Sequence, residues 1–162
     1  VRCLPEPHRR AINGTLRKSP LKIIFLVALL LGSDQFSKFA VRRWLGTDQI
    51  QLLPFFHLEQ VRNRGIAFGM MEGKAGIIIF IGALVVLLLV LAAIMVSRDG
   101  HWTLPLALLI SGSIGNLLDR LYQGSVTDFL NLPAWPAFNL ADMFIVAGVL
   151  LMVWLLLVPR KP

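Results

Sequence analysis

Cysteine occurs once, at Cys3, which excludes an internal disulfide and a cysteine-rich metal site. Histidine is nearly as sparse: His8, His57 and His101 are scattered, without the spacing of a ligand set, so neither a metal nor another cofactor is expected. Charge is scarce too, at 15% of residues against about 25% in soluble domains, while 56% are hydrophobic and mean hydropathy reaches +0.72. A water-soluble globule of 162 residues would rarely tolerate that balance. The net charge of +7 gathers in tails and loops beside apolar runs, so anionic membrane lipid rather than nucleic acid is the expected partner. No repeat or low-complexity segment is evident.

Long apolar runs are what the chain has instead. No charged residue falls between Lys74 and Arg98, enough at about 1.5 Å per residue to cross ~30 Å of hydrocarbon. Uncharged stretches from Gly100 to Leu118 and from Met143 to Pro159 can also span. The first run is interrupted by Asp34 and Lys38, which sit at i and i+4 and can neutralise each other inside a bundle. The alternative for that run is a cleaved signal peptide, since Arg17, Lys18 and Lys22 precede a short apolar core followed by Gly32 and Ser33. The reading adopted is an all-α integral membrane protein with four spans, at about 21–43, 75–97, 102–119 and 140–158. Residues 1–20 form a basic cytoplasmic tail, and 21–159 a single transmembrane unit. Because the chain opens with Val1 rather than Met, an edited or alternative start is expected.

Basic residues of the two tails, with Arg98, outnumber Arg42, Arg43, Arg62, Arg64, Lys74 and Arg120, so both termini are expected inside. The long connections, Trp44 to Lys74 and Asp119 to Asn139, then share the outer face. In the first of them Gln49-Ile50-Gln51-Leu52 alternates with period two. It reads either as a small sheet at the membrane surface or as an interfacial loop anchored by Trp44, Phe55 and Phe56.

Polar residues fall where a bilayer tolerates them badly: Asp34 in the first span, Asn116 and Asp119 ending the third, Asp128 in the next loop, Asn139 and Asp142 opening the fourth. An ionisable group at membrane depth costs about 2.5 kcal/mol or more, so each needs a partner or a task. Asn116, Asp119 and Arg120 are spaced to share one helical face; that is either an inward polar face or a helix-ending charge pair. Asn139 is a good N-cap with Asp142 at N3, which alone explains both as helix capping. In combination, the loop leaving span three and entering span four brings Asp128 and Asp142 to one end of the bundle. Two carboxylates in a partly dry site share a proton, and such a pair can activate water while polarising a carbonyl. Ser113, within Ser111-Gly112-Ser113-Ile114-Gly115, is the rival nucleophile, but no histidine follows it to act as base. A small transporter relaying protons through Asp34, Asn116, Asp119 and Asp142 is the alternative from another class, and a non-catalytic assembly factor a third.

Five motifs in order, Asp34-Gln35-Phe36-Ser37-Lys38, Asn63-Arg64-Gly65-Ile66-Ala67-Phe68, Gly115-Asn116-Leu117-Leu118-Asp119-Arg120, Val126-Thr127-Asp128-Phe129 and Phe138-Asn139-Leu140-Ala141-Asp142, resemble bacterial lipoprotein signal peptidase, or signal peptidase II. The resemblance runs from about Lys22 to Pro159. It implies an inner-membrane aspartic endopeptidase with four helices and a small extracytoplasmic β-subdomain in the first outer loop. Its substrates would be prolipoproteins, cut before a diacylglyceryl-modified cysteine. It makes Asp128 and Asp142 the catalytic dyad and sets Asn63, Gly65, Asn116, Arg120 and Asn139 around substrate or dyad. Asp34, Lys38 and Asp119 become a buried supporting network. A monomer without cofactor, its active site near the outer face, completes the expectation, and the glycines of the 63–69 loop make a lid conceivable.

Overall fold

The computed structural model describes residues 19–158, apart from 47, 66–69, 72 and 97–99. Most of the basic tail, most of the suggested lid and the connection at Arg98 therefore lie outside the described residues. Among the described residues four helices are long and apolar enough to cross a membrane: α1 (Ser19–Ala40, continued by a π-helical turn Val41–Leu45), α2 (Ala75–Val96), α3 (Thr103–Gln123) and α4 (Leu140–Leu157). Four strands, β1 (Gln49–Leu53), β2 (Phe56–Asn63), β3 (Val126–Leu132) and β4 (Trp135–Phe138), form one antiparallel sheet in the order β1-β2-β3-β4.

α3 is the central helix and packs against each of the other three. Its residues Pro105–Gly112 are buried, whereas α2 and α4 expose Phe80, Leu84, Leu88, Val146, Leu150 and Trp154 on faces suited to lipid. All four helices meet in an apolar cluster: Ala93, Leu106 and Ile110 are buried among Ile23, Val27, Leu89 and Met152. Pro105 falls in the first turn of α3, where its missing N–H has no intrahelical partner to lose. Gly124 closes the helix in the left-handed conformation (φ 68°), donating its N–H to Arg120 O.

The sheet differs from the expectation of a subdomain built in the first loop, because half of it comes from the connection between α3 and α4. Val126 and Thr127 are β-branched and follow directly on the α3 cap, which starts β3; β4 then returns through a turn with Ala134 at φ 61°. β3 pairs with β2 in the register Val61↔Asp128 and Asn63↔Val126, and its first four residues are buried. Since β3 leaves the C-terminus of α3 and β4 enters the N-terminus of α4, the sheet lies at that end of the bundle.

Candidate active site

Asp128 is carried by β3 and is 2% exposed; Asp142 lies in the first turn of α4. Both line a cavity of about 670 Å³, together with Asn63, Asn116 and Arg120. Its wall is otherwise apolar, including Met143, Val146 and Leu150 along α4.

Two amides join the carboxylates. Asn139 Nδ2 donates to Asp128 Oδ1 at 2.6 Å and to Asn116 Oδ1 at 3.1 Å. Asn116 Nδ2 in turn donates to Asp142 Oδ1 at 2.7 Å. The second oxygen of Asp128 accepts from Asn63 Nδ2 at 3.0 Å, and that of Asp142 accepts from the backbone N–H of Asn139 at 3.1 Å. The last contact is half of a capping box, whose other half runs from the Asp142 N–H to Asn139 Oδ1 at 3.1 Å. Helix capping and site geometry are thus one arrangement, because the cap fixes which way each Asp142 oxygen points.

A buried ionic network sits behind these groups. Lys38 lies 3.0 Å from Asp34 and 3.3 Å from Asp119, with all three side chains fully enclosed. Each of those carboxylates also pins the residue just before a site aspartate: Asp119 Oδ2 accepts the Thr127 N–H at 3.0 Å, and Asp34 Oδ1 accepts the Ala141 N–H at 2.9 Å. One lysine therefore ties together the backbone supports of both Asp128 and Asp142. Such a triad is poor evidence for stability as such, but removing one member strands the others in low dielectric.

Gly65 and Arg120 meet on the far side: Arg120 Nη2 donates to Gly65 O at 2.9 Å and Nη1 to Asn116 O at 3.3 Å. The Gly65 N–H donates to Asn63 Oδ1, which turns the Asn63 amino group toward Asp128. Arg120 Nε is buried without a partner among the described residues, a donor left over beside the cavity. All ten residues singled out from the sequence are therefore in one connected constellation. Arg42 was missed; it reaches Thr127 Oγ1 at 2.9 Å and lies 3.9 Å from Asp119. Its only signal was a basic residue four positions beyond Lys38 on the same helix. Trp135, Pro136 and Ala137, which line the cavity, gave no signal.

Burial pushes the Asp128 carboxyl up from its ordinary 3.8 to about 6; the Asn63 hydrogen bond opposes the shift and the charge of Asp142 adds to it. Ser111, the buried serine of the small-residue stretch, spends its hydroxyl on Leu108 O at 3.1 Å, while Gly112 is packed under α4. Ser111 and Gly112 are thereby explained as a helix-packing surface, while Ser113, the rival nucleophile, is half-buried in a small cavity beside Ile78, Gly82 and Val85 whose lining includes no histidine. Among the described residues no group of histidine, cysteine and carboxylate side chains could hold a metal ion.

Two carboxylates bridged by amides beside a small sheet, within four helices of membrane-spanning length, are the arrangement expected of a membrane-embedded aspartic peptidase. The sequence pattern of the family described as Signal peptidase (SPase) II matches residues 26–158, and the chain belongs to that family. It is 39% identical to the lipoprotein signal peptidase of Moorella thermoacetica over 142 residues, covering 86% of this chain and 95% of that protein. The lipoprotein signal peptidase of Syntrophus aciditrophicus is also 39% identical, over 84% of this chain and 92% of its own length. Two solved structures described as bacterial membrane enzymes superpose with TM-scores of 0.78 and 0.77, each at 27% identity. They cover 83% and 85% of this chain and 87% and 94% of their own. The transporter alternative finds no support among these relatives.

Proposed function

We propose that Asp128 and Asp142 are the catalytic pair of a lipoprotein signal peptidase that removes signal peptides from prolipoproteins, cutting before a cysteine modified with diacylglyceryl. The observation that carries this is the convergence of both carboxylates, bridged by Asn116 and Asn139, on one cavity whose remaining wall runs down the lipid-facing side of α4. An acylated cysteine stays in the membrane through its chains while its peptide bond meets the polar end of that cavity.

In this reading the two carboxyls share one proton between them, burial having pushed the Asp128 carboxyl up. The ionised member takes a proton from water as the oxygen attacks the scissile carbonyl, and the protonated member gives its proton to the carbonyl oxygen. Collapse of the tetrahedral intermediate breaks the C–N bond, transfers a proton to the leaving amine and restores the pair. The products are a signal peptide ending in a carboxylate and a chain beginning with the lipidated cysteine's amine. Arg120, with its spare Nε–H, holds a substrate carbonyl, and Asn63, Asn116 and Asn139 orient the pair.

Both termini are assigned to the cytoplasm, with residues 1–20 as a tail there, residues 21–159 as the working unit and the sheet at the outer face. The bias of basic residues supports this orientation, and Trp44, Phe55 and Trp135, exposed around the sheet, suit a position at a membrane interface. The enzyme works as a monomer among membrane lipids, without a cofactor, since one chain supplies every group invoked. The test follows signal-peptide release from a prolipoprotein with and without prior diacylglyceryl transfer. Release from the lipidated form alone is expected; release from neither form by folded protein would overturn the reading.

A further inference from the structure

Asp128 stands on the boundary between two cavities. The apolar one described above faces α4; a second, of about 650 Å³, shares Asn63, Asp128 and Trp135 with it but extends away from the helices across the sheet. One bank of this trough is the end of β2 and the residues after it, with Arg62 and Arg64; the other is the β3–β4 turn. Its chemistry is one-sided. Arg62 and Arg64 are exposed and form no ion pair with any described residue, and the carboxylate lining the trough is Asp128 itself. Glu59, on the same strand, is engaged by Asn131 Nδ2 at 3.2 Å.

A substrate cut at Asp128 has two apolar membrane-bound parts, the signal segment and the acyl chains, and one part bound for water, the polypeptide after the cysteine. The cavity along α4 suits the first two and the trough suits the third. We propose that this trough receives the first residues following the modified cysteine, and that Arg62 and Arg64 give the enzyme a preference for acidic side chains there. The proposal rests on the lipoprotein signal peptidase reading and adds a specificity determinant to it. Two uncompensated cations at the mouth of a cleft focus a positive field on whatever chain is threaded through it. Because both are exposed, the effect is modest and screened by salt.

The test uses the full chain in detergent and three diacylglyceryl-modified prolipopeptides with one signal sequence, carrying Asp-Asp, Ser-Ser or Lys-Lys directly after the cysteine. Expected is a kcat/KM order of Asp-Asp above Ser-Ser above Lys-Lys, with roughly three- to tenfold between the extremes. The spread should narrow at high salt and in the double variant Arg62→Gln, Arg64→Gln, mainly through KM. The ratio between peptides is the readout, so a general loss of activity in the variant does not mimic the result. Should the double variant fail to fold, the order in the wild type and its salt dependence decide alone. Equal rates for the three peptides, or a spread that survives high salt or the double substitution, would overturn the proposal while leaving the peptidase reading intact. Failure to cleave any lipidated peptide would instead remove the reading on which it rests.

Discussion

Lys38 Nζ lies 3.0 Å from Asn116 Oδ1, and this contact decides which way the Asn116 amide faces. An ammonium group only donates, so the oxygen must turn to the lysine and the amino group to Asp142, which accepts it at 2.7 Å. Asn139 Nδ2, donating to the same oxygen at 3.1 Å, reinforces that orientation and reaches Asp128 with its other hydrogen. A lysine in α1 thus orients donors to both aspartates while touching neither. Lys38→Met is accordingly expected to destabilise the protein by about 3–5 kcal/mol, because Asp34 and Asp119 lose their shared cation. It should also lower kcat by more than the folded fraction explains. Thermal unfolding and single-turnover rates on the same preparation separate the two effects; a loss of rate fully accounted for by unfolding would reduce Lys38 to scaffold.

Asp128→Asn and Asp142→Asn are near-isosteric, and asparagine keeps an acceptor oxygen toward Asn139 in either position. We expect each to lower kcat by roughly 10³-fold or more, with little change in substrate binding, since an amide can neither take a proton from water nor give one to the scissile carbonyl. Loss of charge at N3 of α4 should cost Asp142→Asn about 1 kcal/mol or less. The comparison needs signal-peptide release, a binding measurement and a melting curve for both variants. Appreciable turnover in either one would remove that residue from the pair.

Asp128 also predicts a pH dependence of stability with a definite sign. Between about pH 4 and pH 6 its carboxyl keeps a proton in the folded protein that the unfolded chain has released. The native state therefore binds more protons in that window, and stability falls as pH rises through it. The contribution is complete below the unfolded value and gone once pH passes the folded one. Melting temperatures in detergent should accordingly decline from pH 4 toward pH 7, with a shallower decline in Asp128→Asn. Identical slopes for wild type and variant would show that Asp128 is not the group responsible.

Residues that a membrane tolerates badly were the most legible part of this chain. Asp34, Asn116, Asp119 and Asp142 stand out against apolar surroundings, and the structure joins all four in one network. The pairing of β2 with β3 was not legible, because it connects residues as far apart as His57 and Asn131 and no local pattern encodes a partner at that distance. Arg42 escaped for a related reason: a basic residue beyond a span reads as an interfacial anchor until Thr127 is brought beside it. The dual use of Asn139 and Asp142 was readable only as two competing explanations, which the capping box merges.

Gly112 tests whether the site depends on how closely α3 and α4 approach. A Cβ there would overlap the carbonyl oxygen of Ala141 and come within 2.8 Å of Ile145 Cγ1. Ala141 is the residue whose N–H Asp34 holds, and it directly precedes Asp142, so a methyl group at 112 presses on the first turn of α4 where the aspartate is set. Overpacking of this kind costs about 1–3 kcal/mol, and a displacement near 1 Å at a reacting group can cost about 10²-fold in rate. Gly112→Ala should therefore lose both stability and activity. Gly32→Ala is the matched control: it adds the same methyl to a helix, but to a position with nothing within 4 Å, so it should keep activity and gain up to about 1 kcal/mol from helix propensity. Equal behaviour of the two variants would show that the α3–α4 approach has slack, and that Asp142 is held by its hydrogen bonds alone.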